Sequence, residues 1–193
     1  MASPLEKLLQ DVPGHKLDVS YDESKPLNGL LLRLKKMNNN QNLHETIVVK
    51  VILSERWDTS VHPVIDVDTD AITASGPSVD SWIAYDFGPS GRITPTSYTL
   101  KTRTNYERWP NTPHSWVIET SVDGIHWEMI DVQVNVESVK KSLAVNHFTM
   151  KRSPTPCRYV RIARIQPNES GASGICISAF ELFGSCEIVS SET

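Results

Sequence analysis

Asp66, Asp68 and Asp70 alternate through the run Asp-Val-Asp-Thr-Asp. Hard cations want clustered carboxylate and carbonyl oxygens, so this turn is a candidate Ca²⁺ site. It is not an EF-hand loop, because the sixth position is Ala71 instead of Gly and the twelfth is Pro77. A capped acidic turn is the plainer reading, and it leads. The positive residues concentrate in Lys151, Arg152, Arg158, Arg161 and Arg164. Strand alternation sets Arg161 opposite Val160 and Ile162, where it can pair with a carboxylate. A salt-bridged, solvated face therefore outweighs an anion site. Catalytic chemistry has little to work with: Ser90 and Ser173 do not form Gly-x-Ser-x-Gly, and neither His-Glu-x-x-His nor a phosphate loop occurs. The six histidines are scattered without ligand spacing. The chain reads as a non-enzyme.

The elements around these groups centre on Ser115 to Ile130. Trp116 and Ile118 fall on one face of a strand, Val117 and Glu119 on the other. Asp123-Gly124 supplies the turn, and Trp127, Met129 and Val132 begin the return. Trp82, Trp116 and Trp127 sit inside strand motifs and read as core. Upstream, Ser3-Pro4-Leu5-Glu6 opens a short helix with a capping box, and Pro13-Gly14 ends it. Residues 15–28 read as a connector, Leu30 to Leu34 as ambiguous, and Lys35 to Asn42 as a polar turn. Strands are expected at 46–53, 81–87, 97–104, 116–121, 126–134, 145–150, 159–165 and 175–183. Short strands punctuated by Pro, Gly, Asn and Asp predict an all-β sandwich or barrel, preceded by one helix.

The chain has 193 residues, enough for one domain and a modest extension. A net charge of −4 gives nucleic acid or an anionic membrane no general attraction. No apolar run is long enough to insert in a membrane, and no secretory signal is apparent. Cys157, Cys176 and Cys186 cannot all pair with one another, which favours reduced thiols inside the cell.

Four motifs in order resemble the discoidin, or coagulation-factor C-type, family. They are Asp66–Asp70 followed by Ser81-Trp82-Ile83-Ala84-Tyr85-Asp86-Phe87-Gly88, the hairpin from Ser115 to Trp127, Arg158-Tyr159-Val160-Arg161-Ile162, and Ile177 to Gly184. The likeness is nearest to intracellular copies attached to BTB-domain adaptors and HECT ubiquitin ligases, carried by Ile93 to Leu100 and Ser115 to Ile118. It implies a galactose-binding-like jelly roll of about eight core strands. The expected division is 1–25 helix and connector, 26–186 sandwich, and 187–193 tail, in an intracellular, cytoplasmic protein.

The resemblance also implies a ligand end built from loops carrying Arg56, Trp57, His62, Tyr106, Arg108, Trp109 and His114. Trp and Arg are anchor residues of protein interfaces. An aromatic platform with His, Arg or Asn donors equally suits a sugar, and packing over the sandwich end is the third reading. The leading expectation is a non-catalytic module for a protein partner, with a carbohydrate-binding module as the alternative. Some members hold a structural calcium near the acidic turn with a carboxylate from the closing strand. Here Ala179 takes that place and Glu181 follows two residues later.

Overall fold

The computed structural model describes residues 2–55, 61–76, 78, 80–105, 112–167 and 174–189, and the side chain of His62 lies outside that set. Two antiparallel five-stranded sheets face each other. The first runs β1 (Lys16–Val19), β10 (Cys176–Ile188), β5 (Gly91–Thr102) and β8 (Val145–Thr149), with β3 (Thr73–Ala74) also paired to β10. The second runs β2 (Lys50–Leu53), β4 (Trp82–Asp86), β9 (Tyr159–Arg164), β6 (Trp116–Ser121) and β7 (Glu128–Gln133). This is the all-β sandwich expected from the strand pattern, in the jelly-roll form that the resemblance implies.

The core lies between the sheets. Tyr98, Leu100, Phe180 and Leu182 point inward from the first, and Ile83, Tyr85, Trp116, Ile118, Val160 and Ile162 from the second; all are buried. Trp116 Nε1 donates to the Tyr98 hydroxyl at 2.9 Å, and that hydroxyl donates to Asp131 Oδ2 at 2.7 Å. Phe148 stacks on Tyr98 and meets Trp116 edge-on. Each polar tip in this aromatic cluster thus has a partner, as burial demands. Burial and the neighbouring Asp131 push the Tyr98 hydroxyl well above its ordinary pKa. At the hairpin, Gly124 adopts φ +78, which a side chain would resist.

The helix α1 (Pro4–Leu9) forms as its capping box dictates, with Leu5 and Leu9 buried. Elsewhere the expectations need correction. Residues 15–28 are more than a connector, since β1 within them pairs with β10 from Lys16↔Glu187 to Val19↔Gly184. The ambiguous stretch is a second helix, α2 (Leu30–Met37), with Leu30, Leu31 and Leu34 buried. A single turn, α3 (His62–Ile65), follows β2. The strand expected from residue 46 starts only at Lys50, because Ile47 takes φ +61 in a preceding turn.

Two tryptophans are misplaced by the core reading. Trp82 shares its strand phase with Ala84 and Asp86, opposite to buried Ile83 and Tyr85, so it stands on the outer face half-buried. Trp127 precedes β7 and is also half-buried. Arg161 lies over it, with its guanidinium carbon 3.9 Å from the ring centroid and 5.7 Å from that of Trp82. Only Trp116 of the three is core.

Candidate functional site

Four connections leave one pole of the sandwich: 54–81, 103–115, 134–144 and 165–175. Their bases are tied together by hydrogen bonds across strands. Gly76 N–H donates to the Glu55 carbonyl at 2.8 Å, and the Ser81 hydroxyl donates to the Gly76 carbonyl at 2.8 Å. The Thr112 hydroxyl reaches the Cys176 carbonyl at 3.1 Å, tying the 103–115 connection to the start of β10. The Ser115 hydroxyl donates to Gln166 Oε1 at 2.9 Å and accepts from Asn135 N–H at 3.0 Å. Such closure keeps backbone groups satisfied where strands end. It also gives the loops above a fixed frame.

Of the expected ligand residues, Arg56, Trp57, Tyr106, Arg108 and Trp109 lie outside the described residues. His62 opens α3. His114 is buried, only 7% exposed, and its carbonyl accepts from Val136 N–H at 2.9 Å. It belongs to the base of the pole and not to an open surface, because the residues flanking it enter the core strand β6.

The acidic turn, a candidate Ca²⁺ site read more plainly as a capped turn, is paired with two lysines. Lys35 Nζ, from α2, lies 2.6 Å from Asp66 Oδ1 and 2.8 Å from Asp68 Oδ1. Lys101 Nζ, from β5, pairs with Asp70 Oδ1 and donates to the Thr69 carbonyl at 3.1 Å. Burial pulls the Lys35 ammonium down, but the hydrogen bonds and charges of Asp66 and Asp68 outweigh it and leave it above its ordinary pKa. The Lys35 hydrogen bond holds the Asp68 carboxyl below its own. Among the described residues, no group of three or more His, Cys, Asp or Glu is arranged around a metal position.

Sequence reasoning missed two arrangements. Glu181 does not approach the acidic turn; buried on the outer face of β10, it accepts from the N–H groups of Leu31 and Leu32 at 2.9 and 3.0 Å and caps α2. Gly29 makes this possible, since a Cβ there would collide with the Leu182 carbonyl and the Glu181 side chain. Burial pushes the Glu181 carboxyl up to about 7, against the backbone donors that lower it. The second arrangement is the placement of Trp82 and Trp127 beside Arg161 on the outer face of the second sheet, where only the pairing of Arg161 with a carboxylate was expected. Arg161 Nε donates to Glu119 Oε2 at 2.7 Å while spanning Trp127 and Trp82. Arg158 grips Asp86 through two bonds, at 2.7 and 2.9 Å, and covers Tyr159. Two of the five residues of the basic cluster, Arg158 and Arg161, are thus paired with carboxylates in place. Strand alternation carried the signal for this face, since it puts Trp82, Arg161 and Glu119 in phase.

No family model matches the sequence, and no curated protein matches it significantly. Solved structures do resemble the fold. CpGH89CBM32-5 from Clostridium perfringens, in complex with GalNAc-β-1,3-galactose, is 14% identical with a TM-score of 0.56, over 70% of this chain and 95% of that one. The module CBM62 from Xyl5A of Clostridium thermocellum is 21% identical with a TM-score of 0.51, over 71% and 94%. The fucolectin from striped bass (Morone saxatilis) serum is 14% identical with a TM-score of 0.51, over 75% and 48%. The sandwich is galactose-binding-like, a fold that these carbohydrate-binding modules and this lectin share.

Proposed function

We propose that the chain is a non-catalytic carbohydrate-binding module whose pole of four loops takes a glycan. The observation that supports this reading is the pole itself. Four connections rise from one hydrogen-bonded frame, and their sequence supplies Trp57, Tyr106 and Trp109 beside Arg56, Arg108 and Asn111. A sugar ring offers one apolar face to an aromatic side chain and directed hydroxyls to planar donors. The fold neighbours that bind GalNAc-β-1,3-galactose or are named for fucose lend weight to the same choice. It replaces a protein partner as the leading reading of this end. Three buried free cysteines are what supports an intracellular setting.

A protein partner remains the second reading, favoured by the strip Trp82–Arg161–Trp127 on the second sheet, residue types that anchor interfaces. Screening the chain on a glycan array, followed by calorimetry on hits, tests the first reading. Trp57→Ala and Trp109→Ala are each expected to weaken a glycan hit by at least about tenfold. Binding unaffected by both, or no hit among galactose-, GalNAc- and fucose-type glycans, overturns it.

A further inference from the structure

We propose that Lys35 and Lys101 are the built-in cations of the acidic turn, standing where a divalent metal would otherwise hold Asp66, Asp68 and Asp70 together. Three carboxylates gathered in one turn repel one another, and positive partners relieve that repulsion. Two ammonium groups bring the same two positive charges as one calcium ion. They come from different elements: Lys35 binds Asp66 and Asp68 from α2, and Lys101 binds Asp70 from β5. Both lysine side chains are only 12% exposed, so each is committed to the turn and does not wave above it.

Several of the oxygens a metal would need are engaged: Oδ1 of each of the three aspartates is paired with a lysine. Calcium collects six to eight of them, carboxylate and carbonyl alike. Here the Thr69 carbonyl already accepts from Lys101, and the Asp70 carbonyl accepts from the Ser178 hydroxyl at 3.3 Å. The closing strand offers no carboxylate to this side. Ala179 is the direct neighbour of Lys101 in the β10–β5 register, so the position that could have reached toward the turn with an acid instead borders a base. Glu181, the nearest acid along β10, is spent on the first turn of α2. That places Lys35 in a chain of fixed contacts: β10 holds α2 through Glu181, and α2 holds the turn through Lys35. A divalent ion entering the turn would have to expel both ammonium groups and leave them largely buried without partners, which is costly.

The test uses the whole chain and needs no glycan, so its result stands apart from the fate of the sugar-binding reading. Thermal melts are recorded in a chelator and in millimolar CaCl₂, with calcium calorimetry alongside, for the wild type and for Lys35→Met/Lys101→Met. The wild type is expected to melt identically in both buffers and to show no calcium heat. The double variant is expected to melt at least ~4 °C lower and to regain part of that loss in CaCl₂, as the released carboxylates take up the ion. A wild type stabilised by calcium sinks the proposal whatever the variant does. A double variant that melts with the wild type also sinks it, as does one indifferent to CaCl₂. Should the double variant not fold, Lys101→Met alone, which frees Asp70 and the Thr69 carbonyl, carries the same comparison.

Discussion

On the outer face of the first sheet, Glu181, Thr99 and His147 form a row across β10, β5 and β8, and other parts of the chain lie over it. The helix α2 covers Glu181, and Tyr21 stacks on His147 with ring centroids 3.4 Å apart. On the outer face of the second sheet, the equivalent row of Ala84, Arg161 and Glu119 across β4, β9 and β6 is covered, among the described residues, by side chains such as Trp82 and Trp127. The two faces solve the same problem differently. A polar group under a covering helix is stabilised by backbone donors that cannot move away, whereas one on an open sheet relies on side-chain neighbours that share it with water. The covered face therefore stores its polar interactions where solvent cannot replace them. The open face keeps them available to a partner.

The largest effect should separate the core from the open face. Trp116→Ala removes a fully buried ring between Tyr98 and Phe148 and deprives the Tyr98 hydroxyl oxygen of its donor; it is expected to cost about 3–5 kcal/mol. Trp82→Ala and Trp127→Ala, on half-buried rings, are expected to cost roughly 1–2 kcal/mol. Urea melts of the three variants rank them. Equal losses would mean that the open face is in truth a second core.

Next in size is the covered face, through pH. The Glu181 carboxyl binds its proton more tightly folded, at about 7, than at the ordinary 4.5. Protonation therefore stabilises the fold fully below about 4.5, and that contribution is lost as pH rises through about 7; the difference is worth up to ~3 kcal/mol. The N–H groups of Gly29, Leu31, Leu32 and Leu182 face the carboxyl. His147, further along the row, has its pKa lowered by burial. Glu181→Gln keeps an acceptor and loses the titration, so the variant's stability should be flatter than the wild type's between pH 5 and pH 8. Parallel stability curves would show that Glu181 is already ionised throughout.

What the sequence disclosed follows the range of each signal. Alternation over β4, β6 and β9 is local, and so the sandwich and the pairing of Arg161 with a carboxylate were legible. The capping box of α1 was legible for the same reason. The helix α2 was not, because Gly29 has no capping side chain and its cap arrives from Glu181, 150 residues away. Lys35 likewise read as part of a polar turn, since its partners lie 31 and 33 residues downstream. The strand β1 was hidden because its four residues gain strand character only from β10 at the far end of the chain. Trp127 reads as core from its place inside a strand motif, although a ring beside a strand end is free to lie flat beneath an arginine.

The finest test of the open face is the Arg161–Trp127 contact itself. Packing a guanidinium on an indole gains about 0.5–2 kcal/mol, more as water is excluded, and here Glu119 fixes the cation in place. Arg161→Ala alone would also strand Glu119, whose side chain is 18% exposed, so a single substitution mixes two losses. A double-mutant cycle with Trp127→Ala, built in a Glu119→Gln background, isolates the stacking term. A coupling of about 1 kcal/mol is expected, and it should change little with added salt because a quadrupole, and not a second charge, holds the cation. Coupling near zero would mean that the arginine is positioned by Glu119 alone. A coupling that vanishes in salt would make the open face electrostatic, and its resemblance to a protein-binding strip would then lose its aromatic half.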